Sequence, residues 1–368
     1  MNNALEELVR ISKYYGNNPE YVIAGGGNTS FKNNNHLWIK ASGNSLATIT
    51  EEGFAKMDRH CLNRIAEKSY SSDPLKREAE IKEELHLCIA GSTDKRPSVE
   101  TSLHNLLESA FVVHTHPTLV NALMCAVNSR KETNLLFGNE ALFVEYTDPG
   151  YVLFKLVEQR ISEYKKAFGK EPAIIFLENH GVFVSAHTCE EINRHYENIS
   201  EKLNTRISSP LPSTELQYAD LEDYIEELSY ASGTTAKGFY SRLISYFVTD
   251  IQAFSRVNKA FTPDNIVYCK ARYMFCESEP NLIYKEYLEF EKEHGFPPRI
   301  IGVKNRGIIC LEESEKSVNT VYEVYLDLLK IAWLAEHFGG GKTMTDEQIT
   351  FIDNWEVENY RRKIAKKG

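Results

Sequence analysis

The sequence predicts an α/β protein in which helices are layered on a sheet. Three observations carry this. Short apolar, β-rich runs alternate along the chain with longer segments of helical periodicity. Proline, glycine and capping residues punctuate the junctions. A Pro/Ser-rich stretch, Ser208-Ser209-Pro210-Leu211-Pro212-Ser213, divides the 368 residues into two parts, read as domains of residues 1–207 and 215–368. A chain of this length accommodates two domains or one large one.

The elements follow in order. Asn3 to Tyr15 places Leu5, Leu8, Val9 and Ile11 at helical spacing. Tyr21-Val22-Ile23-Ala24 reads as a strand running into Gly25-Gly26-Gly27-Asn28-Thr29-Ser30, and His36 to Lys40 as the returning strand. Asp73 before Pro74 is a cap-and-first-turn signal for a helix reaching Cys88. A further helix is expected from Ser98 to Glu108, entered after Pro97. Ala110 to His116 is β-rich and stopped by Pro117; a helix through Leu119 to Val127 follows. Tyr151 to Phe168 is helical, ending at Gly169. Pro172 to Leu177 reads as a buried strand and Ser185 to Asn204 as a helix.

The second part echoes the first. Pro298 to Lys330 lies on Pro172 to Asn204 without a gap. Identical pairs include Pro172/Pro298, Ile174/Ile300, Ile175/Ile301, Asn179/Asn305, Gly181/Gly307, Asn193/Asn319, Tyr196/Tyr322, Glu197/Glu323 and Leu203/Leu329. This reads either as a decayed duplication of a strand–turn–helix unit or as the similarity any two βα units share. His180 falls opposite Arg306, and the second half has no His-x-His, so a second copy would not hold a metal in the same way.

Composition narrows the function classes. The net charge is −10 and no basic run stands out except Arg361, Arg362, Lys363, Lys366 and Lys367, read as a solvated helix end, so nucleic acid is not an expected partner. Apolar stretches fall short of a membrane span, and the N-terminus has no basic-then-apolar leader. Seven scattered cysteines, never in a Cys-x-x-Cys pair, read as reduced and mostly buried, which points to the cytoplasm.

The chemistry concentrates in two short contexts. His114-Thr115-His116 ends a strand, and residues i and i+2 of a strand face one side, so both imidazoles can aim at one point. His180, in Asn179-His180-Gly181, follows a second buried strand, and Gly181 permits close backbone approach. Three nitrogens with open coordination positions form the pattern of a catalytic metal site. Zinc suits it, and other divalent metals are compatible. The remaining histidines lack such a context. Three small polar turns offer anion contacts: Gly25 to Ser30, Ala41-Ser42-Gly43 and Pro97-Ser98-Val99-Glu100. Ser98 reads equally well as a plain helix cap. Glu100, in the first turn after it, can be a metal ligand, a proton carrier or simply a glutamate favourable to the helix dipole. Gly339-Gly340-Gly341-Lys342-Thr343 lacks the upstream glycine of a P-loop and reads as a helix C-cap.

Gly27-Asn28-Thr29-Ser30, Lys40-Ala41-Ser42-Gly43, Pro97-Ser98-Val99-Glu100, His114-Thr115-His116-Pro117 and Asn179-His180-Gly181 occur in this order. Together they resemble the class II sugar-phosphate aldolases of the aldolase/adducin-head superfamily, over residues 5 to 205. The motif Arg96-Pro97-Ser98-Val99-Glu100-Thr101 and the late run Asn354-Trp355-Glu356-Val357-Glu358-Asn359-Tyr360-Arg361 look most like the aldolase half of bifunctional rhamnulose-phosphate aldolase/alcohol dehydrogenases. The chain ends before any dehydrogenase part, so no NAD chemistry is expected.

The resemblance implies a layered α/β/α fold for the first domain. The second domain is either a degenerate aldolase-like copy or a helical accessory domain. It implies that His114, His116 and His180 bind Zn2+. It also implies that Asn28, Thr29, Ser42, Gly43 and Ser98 hold a ketose 1-phosphate, with Val99, where the family has a second serine, contributing its backbone N–H. Glu100 is then the catalytic acid/base, and Tyr146 is the candidate proton donor by position. The implied reaction is reversible retro-aldol cleavage by a cytoplasmic homo-oligomer. The alternatives are a pentulose-5-phosphate 4-epimerase and a non-catalytic scaffold of the adducin-head kind. Retention of all three histidines argues against the scaffold.

Overall fold

The computed structural model describes residues 2–91 and 95–354. The run Trp355 to Arg361 and the basic tail lie outside the described residues. The described residues form two compact units. One comprises residues 2–124 and 128–206; the other comprises residues 207–354 with Cys125–Val127.

In the first unit the strands are β1 (Asn28–Lys32), β2 (His36–Lys40), β3 (Phe54–Asp58), β4 (Phe111–Thr115), β5 (Ala141–Val144), β6 (Ile174–Leu177) and β7 (Gly181–Ala186). They form one mixed sheet in the order β3-β2-β1-β4-β7-β6-β5. Neighbours run antiparallel except β5 and β6. Alternation along β4 divides its side chains between two helical layers. Val112 packs with Leu103, Phe154, Val157, Ile161 and Phe183 in the apolar layer under helix Tyr151–Phe168. Thr115, on the opposite face, bonds the Tyr196 hydroxyl of helix Cys189–Asn204 at 2.7 Å. The first unit is thus an α/β/α layered domain, as its sequence predicts.

Several boundaries move for local reasons. Tyr21 to Ala24 is not a strand. Tyr21 and Val22 donate N–H groups back to the Asn18 carbonyl, and Ala24 takes a left-handed φ of 53°. The apolar run is a turn in which only Val22 is buried, and the strand begins at Asn28. The helix expected from Ser98 is only Thr101–Leu106. The Ser98 carbonyl is engaged by both the N–H and the hydroxyl of Thr101, so Ser98 to Glu100 is a turn before the helix, and Ser98 is not its cap. Ser185 belongs to β7; its helix starts at Cys189, behind a Thr188–Glu191 capping box. Helix Thr118–Met124 is shorter than expected. The helices ending at Cys88 and Gly169 sit where their caps place them, Gly169 at φ 68°. Gly339, likewise left-handed, caps a 3₁₀ turn.

The cysteines depart from expectation. Cys61 and Cys88, 27 residues apart with Cα atoms 5.3 Å apart, form a disulfide. Cys125, Cys189, Cys269, Cys276 and Cys310 are free and buried. Distant pairing of this kind leaves no trace in spacing.

The second unit holds β8 (Thr235–Phe239), β9 (Met274–Cys276), β10 (Ile300–Val303) and β11 (Gly307–Glu312), in the order β8-β11-β10-β9. This repeats β4-β7-β6-β5 in order and in direction. The end pair is parallel in both sheets and the other pairs antiparallel. Asn179 and Asn305 occupy the same turn at φ 53° and 57°. A Cβ on Gly181 would meet the Thr115 carbonyl at 2.6 Å, and one on Gly307 would meet the Phe239 carbonyl at 2.5 Å. Phe239 therefore stands where Thr115 does. Register then sets Gly238 and Tyr240 at the places of His114 and His116, and Arg306 at that of His180. Arg306 is salt-bridged to Asp220. Among the described residues, no helix is long and apolar enough to cross a membrane.

Candidate metal centre

The site forms where β1, β4 and the β6–β7 turn meet. In antiparallel register, Asn28 of β1 and Phe183 of β7 both stand opposite His114. Directly opposed residues share a face of the sheet, so the three side chains lie together. Phe183 stacks on the His114 imidazole, with centroids 4.1 Å apart and planes at 16°. His114 is 1% exposed, and its Nδ1 lies 3.0 Å from the Val182 carbonyl. That carbonyl only accepts, so Nδ1 donates to it and Nε2 is the atom turned toward the site.

His114 Nε2 and His116 Nε2 are 3.0 Å apart. With His180, these are the one group of metal-ligating side chains found among the described residues, each offering an atom within 4.8 Å of the others. Three imidazole nitrogens converging on one point, with His114 held from behind by the Val182 carbonyl, fit a divalent metal. Gly181 lets the His180 turn close on β4. An added Cβ would meet not only the Thr115 carbonyl but His116 Cδ2 at 2.7 Å. Gly181→Ala is accordingly expected to displace the imidazole and weaken metal affinity by about 10- to 100-fold. A competitive chelator titration checks this; wild-type affinity would show that the turn yields freely.

Glu100 closes the site. Its Oε1 lies 3.1 Å from His114 Nε2 and 3.8 Å from His180 Nε2, and its Oε2 accepts from Asn28 Nδ2 at 2.6 Å. Burial pushes this carboxyl up, but the His114 imidazole and then His180 outweigh it, holding it well below the usual carboxylate range. Asn28 Nδ2 also donates to Ser98 Oγ at 2.7 Å, and the Glu100 N–H donates to the same oxygen at 3.2 Å.

The anticipated phosphate residues are only partly assembled. Ser42 donates its N–H to the Arg96 carbonyl at 2.9 Å and its hydroxyl to that of Pro97 at 3.5 Å, which brings its turn against Ser98. Gly43 takes a positive φ of 91°. Asn28, Ser42, Gly43 and Ser98 thus form one cluster. The Thr29 side chain is not part of it. As the next residue along β1 it points to the other face, where its hydroxyl bonds Ser12 at 2.7 Å and is fully buried. The Val99 side chain lines a small apolar cavity with Leu85 and Phe154, so only its backbone is left for an anion. Tyr146 donates its N–H to Glu178, two residues before His180, at 3.0 Å. Its hydroxyl is pushed up by burial and by nearby Asp148, and none of its described hydrogen bonds reaches the histidines.

Sequence reasoning missed Val182 and Phe183, which orient His114. The continuous apolar run Val182-Phe183-Val184 after Gly181 was the available signal. It also missed His104, fully buried, bonded to Ser30 at 2.7 Å and packed edge-on against Phe183. Burial, opposed by the Glu100 charge, pushes His104 down to about 3. The unfolded chain takes up that proton near pH 6.5 and the folded one does not. The stabilisation is therefore complete above pH 6.5 and is lost between pH 6.5 and about 3. Roughly 2 kcal/mol is expected to be gone by pH 5, from a difference in proton uptake of this size. Urea melts of wild type and His104→Asn across pH 5–7 check it; identical slopes would remove His104 from the account.

A model of the class II aldolase and adducin N-terminal domain matches residues 6–206. The chain belongs to this family. A curated relative is the "uncharacterized oxidoreductase YuxG" of Bacillus subtilis strain 168. It is 23% identical over 413 residues, with 98% of this chain and 58% of the relative covered. The chain therefore spans a little over half of that relative's length. Among solved structures, the N-terminal class II aldolase domain of a conserved Thermoplasma acidophilum protein is 26% identical with TM-score 0.47, over 55% of this chain and 92% of that one. YgbL of Escherichia coli, a "putative aldolase/epimerase/decarboxylase", gives 17% and 0.39 over 56% and 91%. The L-fuculose-1-phosphate aldolase of Thermus thermophilus gives 14% and 0.37 over 56% and 94%.

Proposed function

We propose that this class II aldolase family member catalyses reversible, metal-dependent cleavage of a ketose 1-phosphate between C3 and C4, yielding dihydroxyacetone phosphate and a small aldehyde. Rhamnulose 1-phosphate, which would release lactaldehyde, is the lead substrate. The observation that carries the reading is the single cluster in which three imidazoles, the Glu100 carboxylate and the Asn28–Ser98 pair meet. A divalent ion, zinc in this reading, held by His114, His116 and His180 supplies Lewis acidity toward the sugar's carbonyl and hydroxyl oxygens.

The chain's own residues do the rest. Asn28, Ser42, Gly43 and Ser98, with the Val99 N–H, hold the phosphate and so fix the carbon chain over the histidines, which contributes orientation. Glu100 moves the proton to or from the carbon that becomes C3 of dihydroxyacetone phosphate. Its charge at neutral pH suits the role of base in the synthetic direction. Tyr146 is proposed as proton donor on the aldehyde side by its position in the chain. The second unit, with Gly238, Tyr240 and Arg306 at the metal positions, is proposed to be a copy without the metal, leaving one metal per chain. The protein acts as a cytoplasmic homo-oligomer in this reading.

The test is to incubate the metal-loaded protein with a panel of ketose 1-phosphates and pentulose 5-phosphates and identify the products. Dihydroxyacetone phosphate that disappears with chelator supports the aldolase. Epimeric pentulose 5-phosphate without it establishes the epimerase instead. No turnover of any substrate by metal-replete protein would favour the scaffold.

A further inference from the structure

We propose that Cys61 and Cys88 form a reversible thiol–disulfide switch whose oxidised state holds in place the segment carrying Ser98 and Glu100. The two cysteines are the bonded pair among seven, and the other five are free and buried. They differ in a way that assigns roles. Cys61 is half-buried and stands in the first turn of helix Arg59–Glu67, with its N–H donated to the Asp58 carboxylate at 2.9 Å. The exposure lets a small molecule reach the Cys61 sulfur, while the Asp58 carboxylate that caps the helix offsets its positive end. Cys88 is 1% exposed at the C-terminal cap of helix Pro74–Leu87. Cys61 is therefore the attacking thiol and Cys88 the resolving one.

The bridge lies at the root of the catalytic segment. The Cys88 carbonyl accepts from Asp58 N–H at 2.8 Å, Ile89 pairs with Met57, and Ala90 N–H donates to the Lys56 carbonyl at 2.8 Å. These contacts lay the chain along β3, the edge strand. The next described residues contact the start of that strand and the turn after β2. Lys95 Nζ donates to the Phe54 carbonyl at 3.0 Å, and the Arg96 carbonyl accepts from Ser42 N–H. Ser98 and Glu100 follow within four residues of Arg96. Main-chain bonds to an edge strand are weakly protected, so a covalent tie at Cys88 changes how firmly this run is held.

The chemistry balances with a small-molecule disulfide, R–S–S–R, as oxidant. The Cys61 thiolate attacks one sulfur, forming Cys61–S–S–R and expelling RS⁻. Cys88 loses its proton to solvent and attacks the Cys61 sulfur, forming the bridge and expelling the second RS⁻. Two protein thiols are oxidised and one disulfide is reduced to two thiols.

The full chain is equilibrated in glutathione buffers from fully reduced to fully oxidised, with alkylation and mass analysis of the two cysteine peptides and amide hydrogen exchange read at residues 96–100. The switch predicts a single two-thiol transition in the folded protein. It predicts exchange at 96–100 about tenfold slower in the oxidised form, the size expected for tightening of a local opening. Cys88→Ser accumulates glutathione on Cys61, whereas Cys61→Ser acquires none on Cys88. Equal exchange in the two forms overturns the coupling. A bridge that opens only when the protein unfolds overturns the switch and leaves a structural staple. None of these readouts depends on the substrate.

Discussion

His180→Ala is expected to leave the protein folded, strip it of metal and reduce kcat/KM by on the order of 10³- to 10⁴-fold, since Lewis-acid stabilisation is worth several kcal/mol and each 1.4 kcal/mol is a factor of ten. His180 is the informative ligand to remove. Its side chain retains 14% exposure in the β6–β7 turn, whereas His114 is 1% exposed and stacked on Phe183. Truncating His114 would open a hole in the layer under helix Tyr151–Phe168 and confuse binding with folding. Losing one of three imidazoles should weaken affinity beyond the 10- to 100-fold that loss of a ligand's own hydrogen-bond partner costs. Metal content after dialysis and a thermal melt check the two halves separately. A folded variant with full metal content would remove His180 from the site.

Glu100→Gln is expected to give the opposite pattern, with metal content retained and turnover reduced about 10²- to 10⁴-fold, the range of a lost general acid/base. The substitution keeps the length of the side chain and removes only its charge and basicity. The three imidazoles still converge without it, because His114 is oriented from behind by the Val182 carbonyl and Phe183, not by Glu100. KM should move little, since the glutamine amide oxygen can still accept the bond that Asn28, one of the proposed phosphate residues, donates to Glu100 Oε2 at 2.6 Å. A variant that turns over as fast as wild type would move the acid/base role elsewhere, with Tyr146 the first residue to examine.

The layered α/β class and the metal cluster were legible because both rest on local rules. Alternation in Phe111 to His116 places two histidines on one face, and a glycine after His180 marks close approach. The register that sets Asn28 and Phe183 opposite His114 was not legible, because strand pairing is decided by contacts far apart in sequence. For the same reason the sequence did not reveal that Thr29, one residue past Asn28, turns its hydroxyl into the core toward Ser12. The turn at Tyr21 to Ala24 was misread because a short apolar run ahead of glycines looks like a strand when only its composition is weighed. The alternation and turn chemistry shared by Asn179-His180-Gly181 and Asn305-Arg306-Gly307 were visible in the sequence. Their extension to a whole four-stranded sheet required the strand order.

The most direct test of the account is to titrate metal-free protein with Zn2+ while following dihydroxyacetone phosphate release from rhamnulose 1-phosphate and the other ketose 1-phosphates. Activity that rises from near zero and saturates at one equivalent per chain is the expected result. Cleavage that is unchanged by removing the metal, or that requires a second equivalent, would contradict it.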